Sequence, residues 1–314
     1  MAKRYLVTGG TGFLGRSIVK ALIKEGNDVT VFDNDSRGSI DKLDIPQNKF
    51  KFIKGDIRDS EAVFKAAKNI DSILHLAYIN GTEVFYKKPE LVLEVAVKGT
   101  MNAIDAGVKN KVREFFLASS SEVYAEPSVI PTPEDVPLVI PDPFNPRYSY
   151  SGGKIIGELL TLNKSKYFKK SIIFRPHNVY GPTMGFEHVI PQFIVRMRKS
   201  ERKGAINFPI QGDGRQSRSF IYIDDFTNAL MILLKKAKDL EIYNIGTAEE
   251  VSIKKLALTI AKLYGIKINI IPGRLSKGSP QRRCPDVRKI KKLGFEPKIF
   301  LEEGLEKTIS WYAK

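Results

Sequence analysis

The first half of the chain alternates short apolar runs with segments whose apolar residues recur every three or four positions. The runs predict buried strands, and the recurring pattern predicts amphipathic helices. The predicted strands are Tyr5–Val7, Asp28–Phe32, Phe50–Ile53, Ser72–Ala77, Glu114–Ser119 and Ser171–Arg175. The longest helices predicted between them are Pro89–Ala106 and Tyr148–Lys166. Strands that alternate with helices predict an α/β fold with a doubly wound parallel sheet, which binds ligands at the carboxyl ends of its strands.

A glycine-rich turn directly follows the first predicted strand. The three spaced glycines of the motif are Gly9, Gly12 and Gly15, and a helix that starts with Phe13 and Leu14 follows at once. Without Cβ atoms, the first two glycines permit a tight turn and a close approach of a pyrophosphate, while Gly15 lets the helix pack close to the strand. The N–H groups at the helix N-terminus favour an anion there. The pattern therefore predicts a Rossmann dinucleotide-binding site.

An acidic residue ends the second predicted strand. Asp33, followed by Asn34, lies roughly 20 residues beyond Gly9, where a carboxylate can accept hydrogen bonds from the adenosine ribose hydroxyls. A carboxylate there would repel a 2′-phosphate, so NAD is favoured over NADP, although Arg37 nearby is a weaker signal in the opposite direction. The next two strands end at the same edge, and the further cofactor contacts predicted there are Asp56, Ile57, Leu76, Ala77 and Tyr78.

Tyr150 and Lys154 are four residues apart in a predicted helix and so share one face. A free tyrosine, with a pKa of about 10, is a poor base at neutral pH. A neighbouring ammonium and the positive nicotinamide ring of NAD⁺ would lower that pKa, so the pair can take a proton from a sugar hydroxyl as hydride leaves. The third predicted member comes from the serine cluster just past the fifth strand, residues 119–121, because a serine hydroxyl there can bridge the substrate oxygen and Tyr150. Tyr148 has no lysine four residues on and is the weaker candidate.

The pattern changes after Pro176. One later strand, near residues 242–245, is predicted to return to the main sheet. We therefore predict an NAD-binding domain over residues 1–177 and a smaller, mainly substrate-binding C-terminal lobe over residues 178–314. The proline-rich stretch Pro127–Pro146 has little periodicity and is predicted to be a loop beside the active site.

Composition narrows the classes of partner. The formal net charge is +16, but the lysines are scattered in pairs over presumed helix surfaces, so no nucleic-acid face is expected. No apolar run reaches the length of about 18 residues that a membrane span needs, and no signal segment precedes the first strand, so no membrane association is expected. The single cysteine, Cys284, excludes an intramolecular disulfide, fits a cytoplasmic location and disfavours a cysteine-based zinc cluster. No metal site is expected.

Taken together, these motifs resemble those of the extended short-chain dehydrogenase/reductases that act on nucleotide sugars, the NAD-dependent epimerase/dehydratase group. The resemblance covers essentially the whole chain. It rests on Thr8–Gly15, Asp33–Asn34, Gly55–Asp59, His75–Ala77, Ser119–Tyr124, Tyr150–Lys154, Arg175–Pro182 and Gly212–Phe220. It implies a tightly bound NAD that is recycled or retained as NADH, a nucleotide-diphospho-sugar substrate, and a homodimer paired through the two longest helices.

The resemblance also implies a C4 oxidation. Tyr150 would take the proton of the C4 hydroxyl, Lys154 would hold the nicotinamide ribose and tune Tyr150, and Ser120 would bridge the substrate oxygen. Hydride transfer to NAD⁺ would then give a 4-keto sugar.

Further residues are implied to hold the substrate and the cofactor. The guanidinium groups of Arg218 and Arg283 suit a diphosphate, and Asn178 would assist them. The remaining implied contacts are Pro176 for the cofactor, and Val189 and Phe208 beside the nucleotide base.

C4 epimerisation is the broadest expectation for the fate of the 4-keto sugar. Glu122 opens alternatives, because simple 4-epimerases usually carry a small residue there, whereas a carboxylate near C5 is a plausible base. Pro280–Asp286 also resembles the matching segment of UDP-glucuronate decarboxylases. Decarboxylation, 4,6-dehydration and plain C4 oxidation therefore stay open, and a non-enzymatic nucleotide or RNA binder on the same fold is a distant alternative.

Three departures from the group's pattern bear on the site. Ala125 stands where glycine is usual, and Ala96 stands where asparagine is usual. Gly152 and Gly153 lie between Tyr150 and Lys154, at a cost of about 1 kcal/mol each relative to alanine in a helix interior. We expect a neighbouring group, such as the sugar or the cofactor, to need the space that these two glycines leave.

Overall fold

The computed structural model describes residues 2–199, 206–275 and 278–312. The strands are β1 Arg4–Thr8, β2 Asp28–Asp33, β3 Lys51–Lys54, β4 Ser72–His75, β5 Glu114–Ala118, β6 Lys170–Pro176, β7 Val179–Tyr180, β8 Ile206–Gln211, β9 Ser217–Ser219, β10 Ile221–Tyr222, β11 Glu241–Ile245, β12 Glu250–Ser252, β13 Ile268–Gly273 and β14 Arg282–Arg283. The helices are α1 Phe13–Lys24, α2 Ser60–Ala66, α3 Thr82–Lys87, α4 Pro89–Lys109, α5 Tyr148–Lys164, α6 Val189–Arg198, α7 Ile223–Lys236, α8 Ile253–Leu263, α9 Arg288–Lys291 and α10 Leu301–Tyr312.

Seven strands form one parallel sheet in the order β11-β6-β5-β4-β1-β2-β3. The direction in which strands are added reverses between β1 and β4, which places a crevice at the carboxyl ends of these two strands. All six strands predicted for the first half are present, and β11 lies beside β6 with Ile245 opposite Pro176. The predicted doubly wound Rossmann sheet is therefore confirmed.

Helices cover both faces of this sheet, as its continuous apolar strands require. Successive side chains point to opposite faces, so Val7 and Phe116 pack with α1 and α7, whereas Leu6 and Phe115 pack with α2 and α4. All four side chains are fully buried. Burial of each side chain stabilises the fold by roughly 1.5–3 kcal/mol. This packing holds the strands, and therefore their carboxyl ends, in fixed positions.

The chain after β6 adds three small sheets. Strand β9 lies between β12 and β14, β8 pairs with β13, and β7 pairs with β10. The loop predicted over Pro127–Pro146 contains no helix or strand, and a bridge between Thr132 and Pro285 ties it to the segment after β14. Among the described helices, none combines the length and the apolar character that crossing a bilayer demands.

Sequence and structure differ at several helices. Helix α3 is absent from the prediction because its six residues are too few to show a helical period. Helix α4 continues past Ala106 to Lys109, and α5 ends at Lys164 instead of Lys166. These differences leave the positions of the predicted site residues unchanged.

The space beside Gly153 is taken by the protein itself. A Cβ added to Gly153 would collide with the Cβ of Ala96 on α4, whereas one added to Gly152 would lie 3.7 Å from Ile140 Cδ1, an ordinary contact. A neighbouring group does need this room at Gly153, as expected, but that group is Ala96 and not the sugar or the cofactor. The close approach of α4 and α5 explains both the glycine and the alanine opposite it.

Ala125 has a backbone conformation that suits glycine. Its φ is +50° and its ψ is −110°, and such strain in a non-glycine residue costs about 1–3 kcal/mol. Glycine would add about 0.4–1 kcal/mol of chain entropy to the unfolded state. We therefore predict that Ala125→Gly raises the free energy of unfolding by about 1 kcal/mol in denaturant titrations.

Ala237→Gly is the matched control, because Ala237 is similarly buried and has an ordinary φ of −63°. This second substitution should lower the free energy of unfolding. Equal destabilisation by both substitutions would show that the backbone at Ala125 is not strained.

Candidate functional site

The glycine turn after β1 is packed so closely that side chains cannot enter it. Gly9 has a φ of +72°, and a Cβ there would lie 2.7 Å from the backbone nitrogen of Ala77. A Cβ on Gly15 would collide with the carbonyl oxygen of Gly9. Helix α1 begins after Gly12 without a side-chain cap, so its first-turn N–H groups, those of Phe13 and Leu14 included, are left for an anion. The turn therefore has the shape and the polarity that a dinucleotide pyrophosphate requires.

Asp33 braces this turn from the end of β2. Its carboxylate accepts hydrogen bonds from the backbone N–H groups of Thr11 and Asp35, each at 3.0 Å. The side chain is only partly buried, so it can also face a ribose hydroxyl.

A second acidic residue lies at the end of β3. Asp56 is hydrogen-bonded by Asn34 and Arg58, and the bond from Arg58 is the largest effect that lowers the pKa of this carboxyl. Ile57, the next residue, is buried against the helices. The structure therefore brings the cofactor residues predicted after β2 and β3 together.

Two polar residues missed by the sequence reasoning lie beneath the cofactor crevice. Thr8 Oγ1 is 2.8 Å from His75 Nδ1 and accepts hydrogen bonds from the N–H groups of Leu76 and Ala77. Burial lowers the pKa of His75 to about 3, so its ring is neutral. Both residues end neighbouring strands at the predicted ligand-binding edge, and that signal could have identified them. They fix the backbone of the segment Leu76–Tyr78.

Helix α5 places Tyr150 and Lys154 beside the end of β5. The Ser120 hydroxyl is hydrogen-bonded to Tyr150, and Lys154 Nζ donates a 2.6 Å hydrogen bond to the carbonyl oxygen of Ala118. Nζ lies 5.7 Å from the centre of the Tyr150 ring. Burial raises the pKa of Tyr150 to about 12 and lowers the pKa of Lys154 well below its ordinary value. The predicted group of three is thus assembled in a buried setting.

Phe85, on the unpredicted helix α3, covers the face of the Tyr150 ring. The two rings are stacked with their centres 4.8 Å apart and an interplanar angle of 23°. Val92 and Tyr78 complete this small apolar cluster. Phe85 was missed because a single buried aromatic residue in a six-residue helix has no periodic partner.

Glu122 is surrounded by arginines. Arg283 Nη1 donates a 2.7 Å hydrogen bond to Glu122 Oε1, and Arg147 Nη2 lies 3.4 Å from both carboxylate oxygens. Burial raises the pKa of Glu122, but the charges of Arg283, Arg147 and Arg218 outweigh it and bring the pKa to about 2. The sequence reasoning missed Arg147, which precedes the first turn of α5.

Arg218 and Arg283 lie opposite each other on the neighbouring strands β9 and β14. Arg283 is 5% exposed, and its Nε and Nη2 have no hydrogen-bond partner among the described residues. Burial lowers the pKa of Arg218 to about 9, and the charge of Arg283 adds to this effect. Two guanidinium groups side by side, one with unpartnered donors, form a site suited to an anion such as a diphosphate.

The other predicted contacts have mixed outcomes. Pro176 ends β6, and Asn178 has a φ of +36° and donates a 2.8 Å hydrogen bond to the carbonyl oxygen of Ser219. Val189, the first residue of α6, is partly buried. The prediction for Phe208 is wrong: its ring is 2% exposed, packs against Phe193 and is covered by the guanidinium of Arg196. It is a core residue with no face free for a base.

A buried ion pair supports the site from behind. Glu158, one turn after Lys154, accepts two hydrogen bonds from Arg175 at 2.8 and 2.6 Å, and it also accepts one from the Ser119 hydroxyl. Both charged side chains are 2% exposed. Arg175 also donates a 2.7 Å hydrogen bond to the hydroxyl of Tyr124, which itself donates to Asn244 on β11. These bonds connect α5 to β5, β6 and β11.

Comparison with known proteins identifies the family. The family model described as "NAD dependent epimerase/dehydratase family" matches residues 5–246. The chain belongs to this family. Its members in the comparisons are enzymes that modify nucleotide sugars, so this chain is an enzyme of that type and its cofactor is NAD.

Relatives within the NAD-dependent epimerase/dehydratase family differ in activity. A UDP-N-acetyl-alpha-D-glucosaminuronate decarboxylase of Bacillus cytotoxicus is 31% identical over 99% of this chain and 98% of its own. A putative UDP-glucose 4-epimerase of Methanocaldococcus jannaschii is 32% identical over 98% of this chain and 97% of its own. The UDP-glucose 4-epimerase of Thermus thermophilus, solved in complex with NAD, superimposes with a TM-score of 0.85 at 27% identity, over 99% of both chains. The family alone therefore does not fix the fate of the sugar.

The arginines around Glu122 generate a prediction about pH. Because its pKa in the folded protein lies below the ordinary value of 4.5, ionised Glu122 stabilises the fold above that pH and loses its contribution as the pH falls towards about 2. We expect the free energy of unfolding of the wild type to exceed that of Glu122→Gln by a constant amount above about pH 5. Denaturant titrations should show this difference shrinking below pH 4.5. A difference that stays the same from pH 6 to pH 3 would contradict it.

Proposed function

We propose that this protein oxidises C4 of a nucleotide-diphospho-sugar and returns the hydride to the same sugar, with C4 epimerisation as the simplest outcome. The observation that carries the proposal is that Tyr150, Ser120 and Lys154 lie together beside the end of β5, next to the turn whose Glu122 is bonded to Arg283. No atom needs to be gained or lost in such a cycle. The relative from Methanocaldococcus jannaschii supports this outcome.

Each residue of the group has a distinct task. Tyr150 accepts the proton of the C4 hydroxyl, Ser120 positions that hydroxyl by a hydrogen bond, and the charge of Lys154 favours the phenolate. When bound, NAD supplies a positively charged ring that accepts the hydride and further favours the phenolate. Burial raises the pKa of Tyr150 to about 12, and both positive charges oppose this rise and so favour the phenol as a base near neutral pH.

The substrate-binding roles are also proposals. Arg218 and Arg283 hold the diphosphate, assisted by Asn178, whose side chain fixes the strand that carries Arg218. Val189 borders the region expected to hold the base. The division into an NAD-binding domain over residues 1–177 and a sugar-binding lobe over residues 178–314 stays a prediction, as does the cytoplasmic location.

Decarboxylation of a nucleotide glycuronate is a second candidate, favoured by the arginines around Glu122. A carboxyl group with a pKa of about 2 is a weak base for a C5 proton, which disfavours 4,6-dehydration. A 4-keto glycuronate is a β-keto acid, so its C5–C6 bond can break and release carbon dioxide without loss of the C5 proton. Arg147 and Arg283 offer the positive charge that a C6 carboxylate needs. The relative from Bacillus cytotoxicus supports this candidate.

A panel of UDP-, GDP-, CDP- and dTDP-sugars, including glycuronates, would test the function. We expect at least one to turn over, and Tyr150→Phe to lose a factor of about 10²–10⁴ in rate because the proton acceptor is removed. Tyr148→Phe is the matched control and should keep its activity. Mass spectrometry separates the outcomes, since an epimer has unchanged mass, a decarboxylated product lacks carbon dioxide and a dehydrated one lacks water.

Full activity of Tyr150→Phe, or no turnover of any sugar in the panel by the NAD-loaded enzyme, would overturn the proposal. Accumulation of NADH in step with product would instead indicate plain C4 oxidation.

We further propose a homodimer that pairs α4 and α5 of two copies. These helices expose Leu93, Met101, Ile156 and Leu159, with Leu159 54% exposed. Leu159→Glu should shift the purified protein towards monomer in sedimentation velocity runs, because a charge would be buried in the contact. Leu258→Glu, at an exposed leucine on α8, is the control and should leave the mass unchanged. A wild type that sediments as a monomer at every concentration would refute the dimer.

A further inference from the structure

Lys154 is a buried cation with few partners. Its side chain is 2% exposed, and its one hydrogen bond in the described structure goes to the carbonyl oxygen of Ala118. Within the described residues, no carboxylate lies close enough to Lys154 to form an ion pair with it. The charge of the Glu158 carboxylate acts on Lys154, but Glu158 is bonded to Arg175. A buried ammonium in this position tends to lose its proton, yet the proposed function needs its charge.

The ring of Tyr78 offers Lys154 a negatively polarised partner in place of a carboxylate. Lys154 Nζ lies 3.0 Å from the centre of this ring, closer than in any other cation–ring pair of the described residues. The negative face of an aromatic ring attracts a cation most strongly when water is excluded. The Tyr78 ring also meets the ring of Tyr150 edge-on, with the centres 6.4 Å apart. It therefore touches both members of the proposed catalytic pair.

A buried chain of hydrogen bonds fixes the orientation of the Tyr78 ring. The Tyr78 hydroxyl is 3.0 Å from Thr100 Oγ1, which is 3.3 Å from His75 Nε2, and His75 Nδ1 is bonded to Thr8. Thr100, His75 and Thr8 are fully buried. The far end of the ring thus cannot move without breaking bonds that have no access to water.

Helix α5 is shaped to accept this ring. A Cβ added to Gly157 would lie 2.7 Å from the Tyr78 hydroxyl oxygen, nearer than real Cβ contacts come. Gly157 is a helix-interior glycine and costs about 1 kcal/mol relative to alanine. Its presence is explained by the room that the Tyr78 hydroxyl takes.

We propose that Tyr78 is a positioning residue that keeps Lys154 charged and directed at Tyr150. The cation–ring contact takes the place of a counter-ion, and the chain through Thr100 and His75 holds the ring in place. This inference rests on the proposed roles of Tyr150 and Lys154. The titratable groups that face Lys154 are His75 at the end of β4, Tyr78, and Tyr150 and Glu158 on α5.

The test measures the titration of Lys154 in the NAD-loaded protein without any sugar. Carbon-13 NMR of the lysine Cε atoms reports each ammonium, and the Lys154 signal is the one that disappears in Lys154→Arg. We expect Tyr78→Leu, which removes the ring face, to lower the pKa of Lys154 by about one to two pH units. Tyr78→Phe keeps the ring face but loses the hydrogen bond to Thr100 that holds it, so it should lower the pKa of Lys154 by less than Tyr78→Leu does.

Gly157→Ala gives a second route that keeps every polar group. Its methyl would push the Tyr78 hydroxyl away, so the pKa of Lys154 should fall, while the helix itself gains stability. Combining Gly157→Ala with Tyr78→Phe removes the clash and should return the titration of Lys154 to that of Tyr78→Phe alone. This rescue distinguishes ring position from a general loss of packing.

Unchanged titration of Lys154 in both Tyr78→Leu and Gly157→Ala would overturn the proposal. So would an equal fall in Gly157→Ala and in the double variant. Because no sugar is present, a failure of the sugar panel described above would leave this measurement valid, and the two proposals can fail separately.

Discussion

The buried ion pair between Glu158 and Arg175 is the contact on which the geometry of the site depends. Tyr150, Lys154 and Glu158 are spaced four residues apart on α5, so one face of this helix carries the proposed base, its lysine neighbour and the partner of Arg175. Glu158 is bonded to Arg175 on β6 and to Ser119 after β5. Removing one partner of such a pair costs about 3–5 kcal/mol. The helix therefore has a fixed rotation and height relative to the sheet.

The same network reaches the parts of the chain that surround the substrate region. Arg175 donates to Tyr124 and to the carbonyl oxygen of Glu134 in the proline-rich loop. Asn244 on β11 accepts a hydrogen bond from the Tyr124 hydroxyl, and its side-chain amide donates one to the carbonyl oxygen of Thr132 in that loop. A loop with no secondary structure of its own is thus held by side chains from the sheet, and so is the turn that presents Ser120 and Glu122.

Much of this arrangement could be predicted from the sequence because it depends on local signals. The glycine turn, the parallel sheet implied by alternating strands and helices, and the spacing of Tyr150 and Lys154 need no knowledge of distant contacts. Arg147 and Phe85 could not be predicted in the same way, since their roles depend on groups brought near by folding. Phe208 was misjudged because the family resemblance implies a contact by sequence position alone, and this does not show whether the ring faces a crevice or the core. The neighbour that needs the space beside Gly153 was not identified because that residue, Ala96, is on another helix.

The bond between Glu122 and Arg283 has a consequence for substrate exchange. Glu122 belongs to the turn after β5, whereas Arg283 and Arg218 belong to the small sheet of β9, β12 and β14. A resident carboxylate already neutralises part of the positive charge there, so it weakens the attraction of these arginines for the diphosphate that we propose they bind. Arg283 keeps Nε and Nη2 without a partner among the described residues, so the proposed diphosphate can bind without displacing Glu122. The remaining attraction is smaller than that of two unpaired arginines, which favours release of the product in the proposed cycle.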